Sequence, residues 1–396
     1  MTGDRIDFLI LGSGPAGARA SETIRRKDRQ ARVVVVSADP HPFYNRILLS
    51  KDFLKSDDLA PEQIAIKPAE LWEKQGIELR SGQRVIGLDA DAREARLQTG
   101  EILGYERCLV ATSASPLVLP VPGSAAPGVH TLRSLNDARR LRQAARVTGR
   151  AVVVGGGLIG VEVAAALAQR GLHCTVIERE RWIFGQVAPE RVGLTLRGIL
   201  EEGGVQVVTG ATVTGFRRGG DGLWVGTRPT KGEAREGWTY GGDLVVMGVG
   251  VRPETGFLEN VERTADGGIV VDERLQAAPG LWAAGDVAAY PDPHAGLRHR
   301  VEHWLHAQHQ GRIAGANMTG DARTYRELTF YDTELFGTRI QVFGTPALAE
   351  EWSVEGLDGA AAGVAWGSRQ GRLVTAYRIG SSNVSFHDIK LRLMSP

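Results

Sequence analysis

Short apolar runs alternate with glycine-rich turns and amphipathic stretches along the chain, which predicts parallel β-α-β units. Residues 6–11 (IDFLIL) form a predicted buried strand, 18–27 (ARASETIRRK) a helix and 31–37 (ARVVVVS) the next strand. Residues 150–180 repeat the alternation, with a predicted helix over 160–170 that Gly171 ends. Near the C-terminal end, TRIQVFG, GVAWGS and RLVTAYRIG are short runs of β-formers broken by glycine. The pattern predicts an α/β protein with two parallel β-α-β units and short strands near the C-terminal end.

The first glycine-rich turn has the pattern of a dinucleotide site. In a GxGxxG turn between strand and helix, the first glycine makes the tight turn and the second lets a pyrophosphate approach the backbone. The third lets helix and strand pack closely. The candidate residues here are Gly12, Gly14, Pro15, Ala16 and Gly17. Asp39, two residues beyond the second strand, is the candidate for binding ribose hydroxyls.

The second glycine-rich turn repeats this pattern, and the strand that returns after its helix ends in a carboxylate. Glu178 closes the returning strand, and a carboxylate there accepts hydrogen bonds from both ribose hydroxyls and repels a 2′-phosphate. This favours NADH over NADPH, although Arg179 and Arg181 leave the alternative open, because arginines accommodate that phosphate. Two such turns indicate two dinucleotides, each in its own domain. The candidate nucleotide-binding residues are Gly155, Gly157, Leu158, Ile159, Gly160 and Glu178.

Length, charge and cysteine content narrow the class of protein. A chain of 396 residues is long enough for two or three domains. Its formal net charge of +1 gives no argument for nucleic acid or an anionic membrane, and no apolar run predicts membrane insertion or a signal peptide. Cys108 and Cys174 lie in predicted buried strands, so we expect inert core thiols and a cytoplasmic location.

Further landmarks carry a resemblance to a known family. They are YERCLVATSASP (105–116), DLVVMGVGVRPET (243–255), LWAAGDVAAY (281–290) and RVEHWLHAQHQGRIAGANMTG (300–320). Together with the two glycine turns, they resemble the FAD-dependent pyridine-nucleotide reductases. The resemblance runs from about residue 5 to about residue 390. It is greatest to the NADH-dependent ferredoxin, rubredoxin and putidaredoxin reductases of bacterial oxygenase systems.

The resemblance implies a domain organisation. An FAD-binding domain is split over 1–114 and 245–325, a NAD-binding domain covers 115–244, and a C-terminal interface domain covers 326–396. Both dinucleotide-binding domains are expected to be Rossmann-like three-layer structures, and the C-terminal interface domain is expected to be a small α+β structure. Two departures stand out. Ser113 occupies a position where the family usually has glycine, so it must avoid the backbone angles reserved for glycine or carry strain. The chain also ends soon after SNVSFHDIKLRLM, where relatives usually continue, which puts the partner-docking surface in doubt.

The resemblance also implies residue roles around a flavin. In relatives the segment matching HPFYNRILLSK (41–51) caps the isoalloxazine ring, which assigns Arg46 and Lys51 to that role, and Asp286 binds the ribityl chain. Glu162 is placed beside the nicotinamide, facing the lysine, and Trp304 is placed against the flavin. The alternatives are that Lys51 is an ordinary surface lysine, that Glu162 only favours the helix dipole, and that Trp304 is a core residue. The remaining candidates are Val85, Ala111, Thr112, Gly285, Glu302 and His303 for FAD, and Gly250 for NAD.

Charged and histidine residues near 300 suggest further roles. His299, His303 and His306 have i, i+4, i+7 spacing that could place them on one helix face, and His309 follows. We expect solvated histidines near a docking face and no metal, because no acidic or thiolate ligand joins them. Arginines near the flavin edge would steer an acidic carrier, with Arg298, Arg300 and Arg312 as candidates.

The missing cysteines decide the expected function. HPFYNRILLSK contains no cysteine, so a flavin there cannot pass electrons to an internal thiol pair. We expect an NADH:ferredoxin-type reductase in which FAD accepts hydride and supplies single electrons to a small iron–sulfur protein. Catalytic roles are expected for Lys51, Glu162 and Trp304, in a monomer or homodimer. The alternatives are the flavin module of a nitrite reductase system and a redox-sensing flavoprotein resembling apoptosis-inducing factor.

Overall fold

The computed structural model describes residues 5–41, 43–220, 222–230, 239–357 and 362–395. The chain divides into two compact units, and each is continuous in space but not in sequence. Unit 1 comprises 1–45, 61–115 and 252–329, and unit 2 comprises 46–60, 116–251 and 330–396. The three-domain boundaries expected from the sequence stay a prediction.

The helices and strands alternate as expected for an α/β protein. Up to residue 131 the elements are β1 (Ile6–Leu11), α1 (Pro15–Lys27), β2 (Val33–Ser37), α2 (Asp52–Lys55), α3 (Ala69–Lys74), β3 (Ile77–Ser81), β4 (Val85–Asp89), β5 (Glu94–Leu97), β6 (Ile102–Val110), β7 (Ala114–Pro116) and β8 (Val129–Thr131). From there to residue 247 they are α4 (Leu135–Ala145), β9 (Arg150–Val154), α5 (Leu158–Gln169), β10 (His173–Ile177), α6 (Glu190–Glu202), β11 (Gln206–Val208), β12 (Ala211–Gly219), β13 (Gly222–Pro229), β14 (Thr239–Gly242) and β15 (Leu244–Met247).

The remaining elements complete both units. They are β16 (Val251–Pro253), β17 (Leu258–Glu259), β18 (Ile269–Val270), β19 (Gln276–Ala278), β20 (Leu281–Ala283), β21 (Ala288–Asp292), β22 (Leu297–His299), α7 (Trp304–Met318), β23 (Phe330–Leu335), β24 (Thr338–Gly344), β25 (Glu351–Gly356), β26 (Gly363–Arg369), β27 (Arg372–Ile379) and α8 (Phe386–Met394). Short 3₁₀ turns cover Arg46–Ser50, Pro61–Ile64 and Pro346–Leu348.

Unit 1 is built on a parallel sheet. Strand β1 pairs in parallel with β2 and β6, β2 continues to β3, and β20 adds in parallel beyond β6. Strand β2, which is VVVVS, is buried along its whole length, as expected for the middle of a covered parallel sheet. Helices α1 and α7 approach closely, because a Cβ on Gly311 or Gly315 would lie 2.2 or 2.7 Å from the backbone of α1. Glycine therefore allows the contact between these two helices.

Unit 2 contains a second parallel sheet and, among its described residues, two antiparallel sheets. The parallel sheet has the order β11-β10-β9-β15-β8, and α5 packs on β9 and β10. The smaller antiparallel sheet has the order β12-β13-β14. The C-terminal antiparallel sheet has the order β23-β24-β27-β26-β25, and α8 packs on β27 and β24. The predicted fold class, α/β with two dinucleotide-binding sheets and a C-terminal α+β part, is confirmed.

Candidate functional site

The first glycine turn of unit 1 has room for a ligand at one position only. A Cβ on Gly12 would lie 2.1 Å from the carbonyl oxygen of Ala111, and one on Gly17 would lie 2.0 Å from that of Gly12. Gly12 also has φ +116°, which side chains rarely adopt. A Cβ on Gly14 would meet nothing within 4 Å. The open side of Gly14 lies at the N-terminus of α1, where backbone N–H groups and the helix dipole favour an anion.

The second turn, in unit 2, repeats this geometry. A Cβ on Gly155 would lie 2.3 Å from the carbonyl oxygen of Gly248, and one on Gly160 would lie 1.9 Å from that of Gly155. Gly157 has nothing within 4 Å. Leu158 and Ile159 form the first turn of α5. Each unit therefore offers the same open position before a helix N-terminus, and both turns fit the diphosphate of a dinucleotide.

A carboxylate follows the second strand in both units. In unit 2, Glu178 accepts hydrogen bonds from the backbone N–H of Gly156 and, at 2.7 Å, from that of Glu180. The carboxylate is thereby held against the glycine turn, which is the place for a ribose-binding group. Arg179, which left the NADPH alternative open, pairs with Glu180 at 3.0 Å.

In unit 1 the corresponding carboxylate is Asp39. It accepts from the backbone N–H of His41 at 3.0 Å and from the hydroxyl of Tyr44 at 2.8 Å. Asp39 lies just beyond β2, as the sequence predicts for a ribose-binding acid.

Glu162 forms the centre of a buried polar cluster in unit 2. Lys51 Nζ lies 2.7 Å from its Oε1, although the two residues are far apart in sequence. Ser50 donates to Oε2 at 2.5 Å, and Thr333 donates to Oε1 at 2.6 Å. The Glu162 side chain is 3% exposed, so these donors replace the water that a carboxylate otherwise requires.

The structure thus brings together two residues that the sequence singled out. Lys51 is 23% exposed at its side chain and is paired, so it is not an ordinary surface lysine. Sequence reasoning missed Ser50 and Thr333. Ser50 could have been found because it precedes Lys51 in the sequence. Thr333 lies on β23 of the C-terminal sheet, in no recognisable sequence motif.

The turn at Asp286 is held from several directions within unit 1. Ser113 donates its hydroxyl to Asp286 Oδ2 at 2.9 Å. The backbone N–H of Gly285 donates to Gln310 Oε1 at 2.8 Å, and Arg300 donates to the carbonyl oxygen of Asp286. Gln310, which the sequence did not single out, lies on α7 and is fully buried. Asp286 itself is 8% exposed, so its carboxylate is directed by its protein neighbours.

Several other predicted flavin residues also lie in unit 1, whereas Arg46 and Lys51 lie in unit 2. Thr112 donates its hydroxyl to the carbonyl oxygen of Glu254 at 2.6 Å, and Val85 begins β4 and packs against the core. Oε1 of Glu302 lies 2.8 Å from Nη1 of Arg300. Trp304 is the first residue of α7 and is half-buried rather than part of the core. In unit 2, Arg46 begins the 3₁₀ turn before Lys51, and Gly250 has φ +109°.

The histidines near residue 300 neither share one helix face nor are all solvated, so both expectations for them are wrong. His299 lies on strand β22 and α7 begins only at Trp304, so His299, His303 and His306 do not share a helix face. His306 is 2% exposed and shares a hydrogen bond with Tyr325 at 3.0 Å, so it is not a solvated histidine. Burial lowers the pKa of His306 to about 3, with a contribution from neighbouring His303, whose own pKa burial lowers to about 4.

The role of Arg300 as a steering charge is also wrong. Its side chain is 10% exposed and pairs with Asp266 at 2.7 Å and with Glu302. Arg298 donates to the carbonyl oxygens of Val271 and Ala289. These contacts engage both guanidinium groups within the fold.

Within the described ranges, no group of three or more histidine, cysteine or acidic side chains is arranged to hold a metal ion. No helix in the described part of the chain is long and apolar enough to cross a membrane.

Comparison with known proteins adds to this geometry. A family model for pyridine nucleotide-disulphide oxidoreductase matches residues 6–311. The chain is 33% identical over 350 residues to the 3-phenylpropionate/cinnamic acid dioxygenase ferredoxin–NAD(+) reductase component of Photorhabdus laumondii, covering 88% of this chain and 86% of that protein. It is 30% identical to the benzene 1,2-dioxygenase system ferredoxin–NAD(+) reductase subunit of Pseudomonas putida, covering 92% and 87%.

Solved structures show the same fold. The ferredoxin reductase for the CYP199A2 system from Rhodopseudomonas palustris has a TM-score of 0.86 and 28% identity, covering 94% of this chain and 91% of that chain. The covalent putidaredoxin reductase–putidaredoxin complex has a TM-score of 0.87 at 23% identity, covering 98% and 93%.

Proposed function

The chain belongs to the pyridine nucleotide-disulphide oxidoreductase family, and from that premise we propose that it is an FAD-containing NADH:ferredoxin-type reductase. The observation that carries this proposal is that the segment 41–51, where a disulfide reductase needs cysteines, instead supplies Lys51, which pairs with the buried carboxylate of Glu162 on α5. A lysine held by a buried carboxylate can stabilise developing negative charge but cannot store electrons. The electrons must therefore leave the protein.

The residues of unit 1 fit FAD. The open position at Gly14 and the N-terminus of α1 would hold the diphosphate, Asp39 the adenosine ribose, and Asp286 a hydroxyl of the ribityl chain. When bound, FAD supplies the chemistry of accepting a hydride as an electron pair and releasing single electrons. The half-buried Trp304 and the Glu302 carboxylate, at the start of α7, would flank the ring.

The residues of unit 2 would bind NADH and hold charge near its nicotinamide. Gly157 leaves space for the diphosphate, and Glu178 would bind the adenosine ribose hydroxyls. Ser50, Lys51 and Thr333 share the carboxylate of Glu162 and fix its orientation. This arrangement presents the Lys51 ammonium in one position rather than leaving it to move in solvent.

Neither cysteine of the chain is suited to accept electrons from the reduced flavin in place of an external acceptor. Cys108 and Cys174 are free and buried, on β6 and β10. Burial raises the pKa of Cys108 far above its ordinary value and that of Cys174 to about 12. Because the thiolate is the reactive form, both thiols are inert. Two unpaired thiols also support the proposal of a cytoplasmic location.

We infer that the acceptor is a small iron–sulfur protein. This is supported by relatives whose names identify them as ferredoxin–NAD(+) reductase components of dioxygenase systems, at 33% and 30% identity over most of both chains. The nitrite reductase and apoptosis-inducing-factor alternatives are not favoured. Apoptosis-inducing factor 3 of Homo sapiens is 32% identical, but the aligned region covers only 55% of that protein.

Two linked measurements test the function. Rapid mixing of the purified flavoprotein with NADH under anaerobic conditions should bleach the flavin absorbance. In steady state, cytochrome c reduction should then depend on an added plant-type or Rieske-type ferredoxin. Flavin that stays oxidised with excess NADH would exclude a reductase. Rapid bleaching without transfer to any ferredoxin would favour a sensing flavoprotein.

A further inference from the structure

Ser113 adopts a backbone conformation that favours glycine. Its φ is +67°, in the left-handed region, where a Cβ crowds the neighbouring carbonyl oxygen. The surrounding backbone requires this conformation. The carbonyl oxygen of Ser113 accepts from the N–H of Glu254 at 2.9 Å, and the hydroxyl of Thr112 donates to the carbonyl oxygen of Glu254 at 2.6 Å. The strained residue therefore lies in a segment that two hydrogen bonds tie to Glu254.

Glycine would satisfy this backbone but would lack the serine hydroxyl. That hydroxyl donates to Oδ2 of Asp286 at 2.9 Å, across 173 residues of sequence. A residue in a sparsely populated conformation at a binding site indicates that its side chain has a use. Here the use is visible as a hydrogen bond to a carboxylate that is almost fully buried.

The Ser113 hydroxyl contacts the carboxylate of Asp286, whereas Gln310 and Arg300 contact the backbone of the turn. Gln310 binds the N–H of Gly285, and Arg300 binds the carbonyl oxygen of Asp286, so both fix the backbone of the turn. Ser113 binds the side chain and thereby sets the rotation of the carboxylate. Fixing a carboxylate before a ligand arrives lowers the entropy lost on binding.

We propose that Ser113 is a positioning residue that orients Asp286 toward a hydroxyl of the ribityl chain of FAD. The proposal rests on the function proposed above and adds a determinant of cofactor affinity. Ser113 acts through Asp286 on the riboflavin half of FAD. The adenosine and diphosphate contacts at Gly14 and Asp39 are independent of it.

The test compares Ser113→Gly and Ser113→Ala as apoproteins titrated with FAD. Both lose the hydrogen bond to the carboxylate, so both should bind FAD about 5- to 10-fold more weakly than wild type. ADP, used as a competitor, should bind all three proteins equally. The melting temperature of the Ser113→Gly apoprotein should equal or exceed that of wild type, because glycine relieves the strain. Affinity and stability should therefore not fall together in this variant.

Two controls separate positioning from a general structural role. Gln370 has φ +52° in the turn between β26 and β27, so Gln370→Gly changes backbone freedom without touching Asp286, and its FAD affinity should equal wild type. In a background with Asp286→Ala, Ser113→Gly should weaken FAD binding no further, because the pair acts as one unit.

The outcomes distinguish this inference from the proposed function. Wild-type apoprotein that binds no FAD would remove the proposed function and this inference with it. Wild-type apoprotein that binds FAD, together with a Ser113→Gly variant of unchanged affinity, would overturn the role of Ser113 alone. An equal loss of ADP binding would also overturn it, because the defect would then not be local to the ribityl chain.

Discussion

Lys51 Nζ lies 2.7 Å from Oε1 of Glu162, and the carboxylate is buried among further donors. The two residues are close because the segment with Lys51 folds onto α5, within the unit that holds the second glycine turn. A cation fixed in this way can stabilise charge that develops during hydride transfer.

Glu162→Gln should slow flavin reduction by saturating NADH about 10- to 100-fold, because Lys51 then loses its charged partner. Flavin content should not change. The measurement is the bleaching rate of the flavin after rapid mixing. Glu190 is an exposed carboxylate in the first turn of α6, and Glu190→Gln serves as the matched control. An equal effect of both variants would mean that the Glu162 carboxylate has no specific role in flavin reduction.

Thr333→Val should slow the same step about 3- to 10-fold, because a nearly isosteric side chain removes one donor from the buried Glu162 carboxylate. Thr333→Ser keeps the hydroxyl and should retain a rate close to wild type. The rate constant for flavin reduction at saturating NADH is the measurement for both. A valine variant as fast as the serine variant would remove Thr333 from the site.

Alanine at the two open glycines should separate the two dinucleotides. Gly14→Ala and Gly157→Ala add a methyl group where no protein atom lies within 4 Å, so neither should lower the melting temperature of the apoprotein. Gly14→Ala should prevent FAD retention, and Gly157→Ala should retain FAD but raise the KM for NADH. Retained FAD in the Gly14 variant would contradict the assignment of the first turn.

Glu178→Ala should raise the KM for NADH about 10- to 100-fold, since a carboxylate hydrogen-bonded to ribose hydroxyls contributes on the order of 1.5–3 kcal/mol. The preference for NADH over NADPH should shrink, because the charge that repels a 2′-phosphate is gone. Steady-state kinetics with both nucleotides measure this. Glu180→Ala is the neighbouring control, and an unchanged KM in Glu178→Ala would contradict the proposed ribose site.

Folding stability should fall on mild acidification because of His306. Burial lowers the pKa of His306 from 6.5 to about 3, so between these values the unfolded chain binds a proton that the folded chain excludes. Stability therefore decreases as the pH drops below about 6.5, by up to about 1.4 kcal/mol per pH unit, and the loss levels off near the folded value. The groups that act on His306 electrostatically are His303, Asp292, His299 and Asp286.

The measurement for this pH effect is the free energy of unfolding between pH 7 and pH 4.5. His306→Gln should flatten the dependence relative to wild type. His387 on α8 is exposed, and His387→Gln should keep the wild-type slope. An identical slope in all three proteins would show that His306 is charged in the folded state.

The glycine turns and their flanking elements were determined by the sequence alone. Strand β1, the turn at Gly12 and helix α1 follow one another within residues 6–27, and the second unit repeats them. Hydrophobic periodicity, tight-turn glycines and a carboxylate after the next strand all operate over about thirty residues. Such local rules give an α/β fold and two dinucleotide sites without knowledge of distant contacts.

The surroundings of the site were decided by tertiary structure. Thr333 reaches Glu162 across 171 residues, and Ser113 reaches Asp286 across 173. The burial of His306 contradicted what its spacing suggested, and the ion pairs of Arg300 contradicted its expected role as a steering charge. Local pattern specifies which side chains are available, but burial and long-range packing specify which donor meets which buried carboxylate. That is why the family resemblance pointed to Lys51 and Glu162, and only the folded chain revealed that Ser50 and Thr333 also donate to the Glu162 carboxylate.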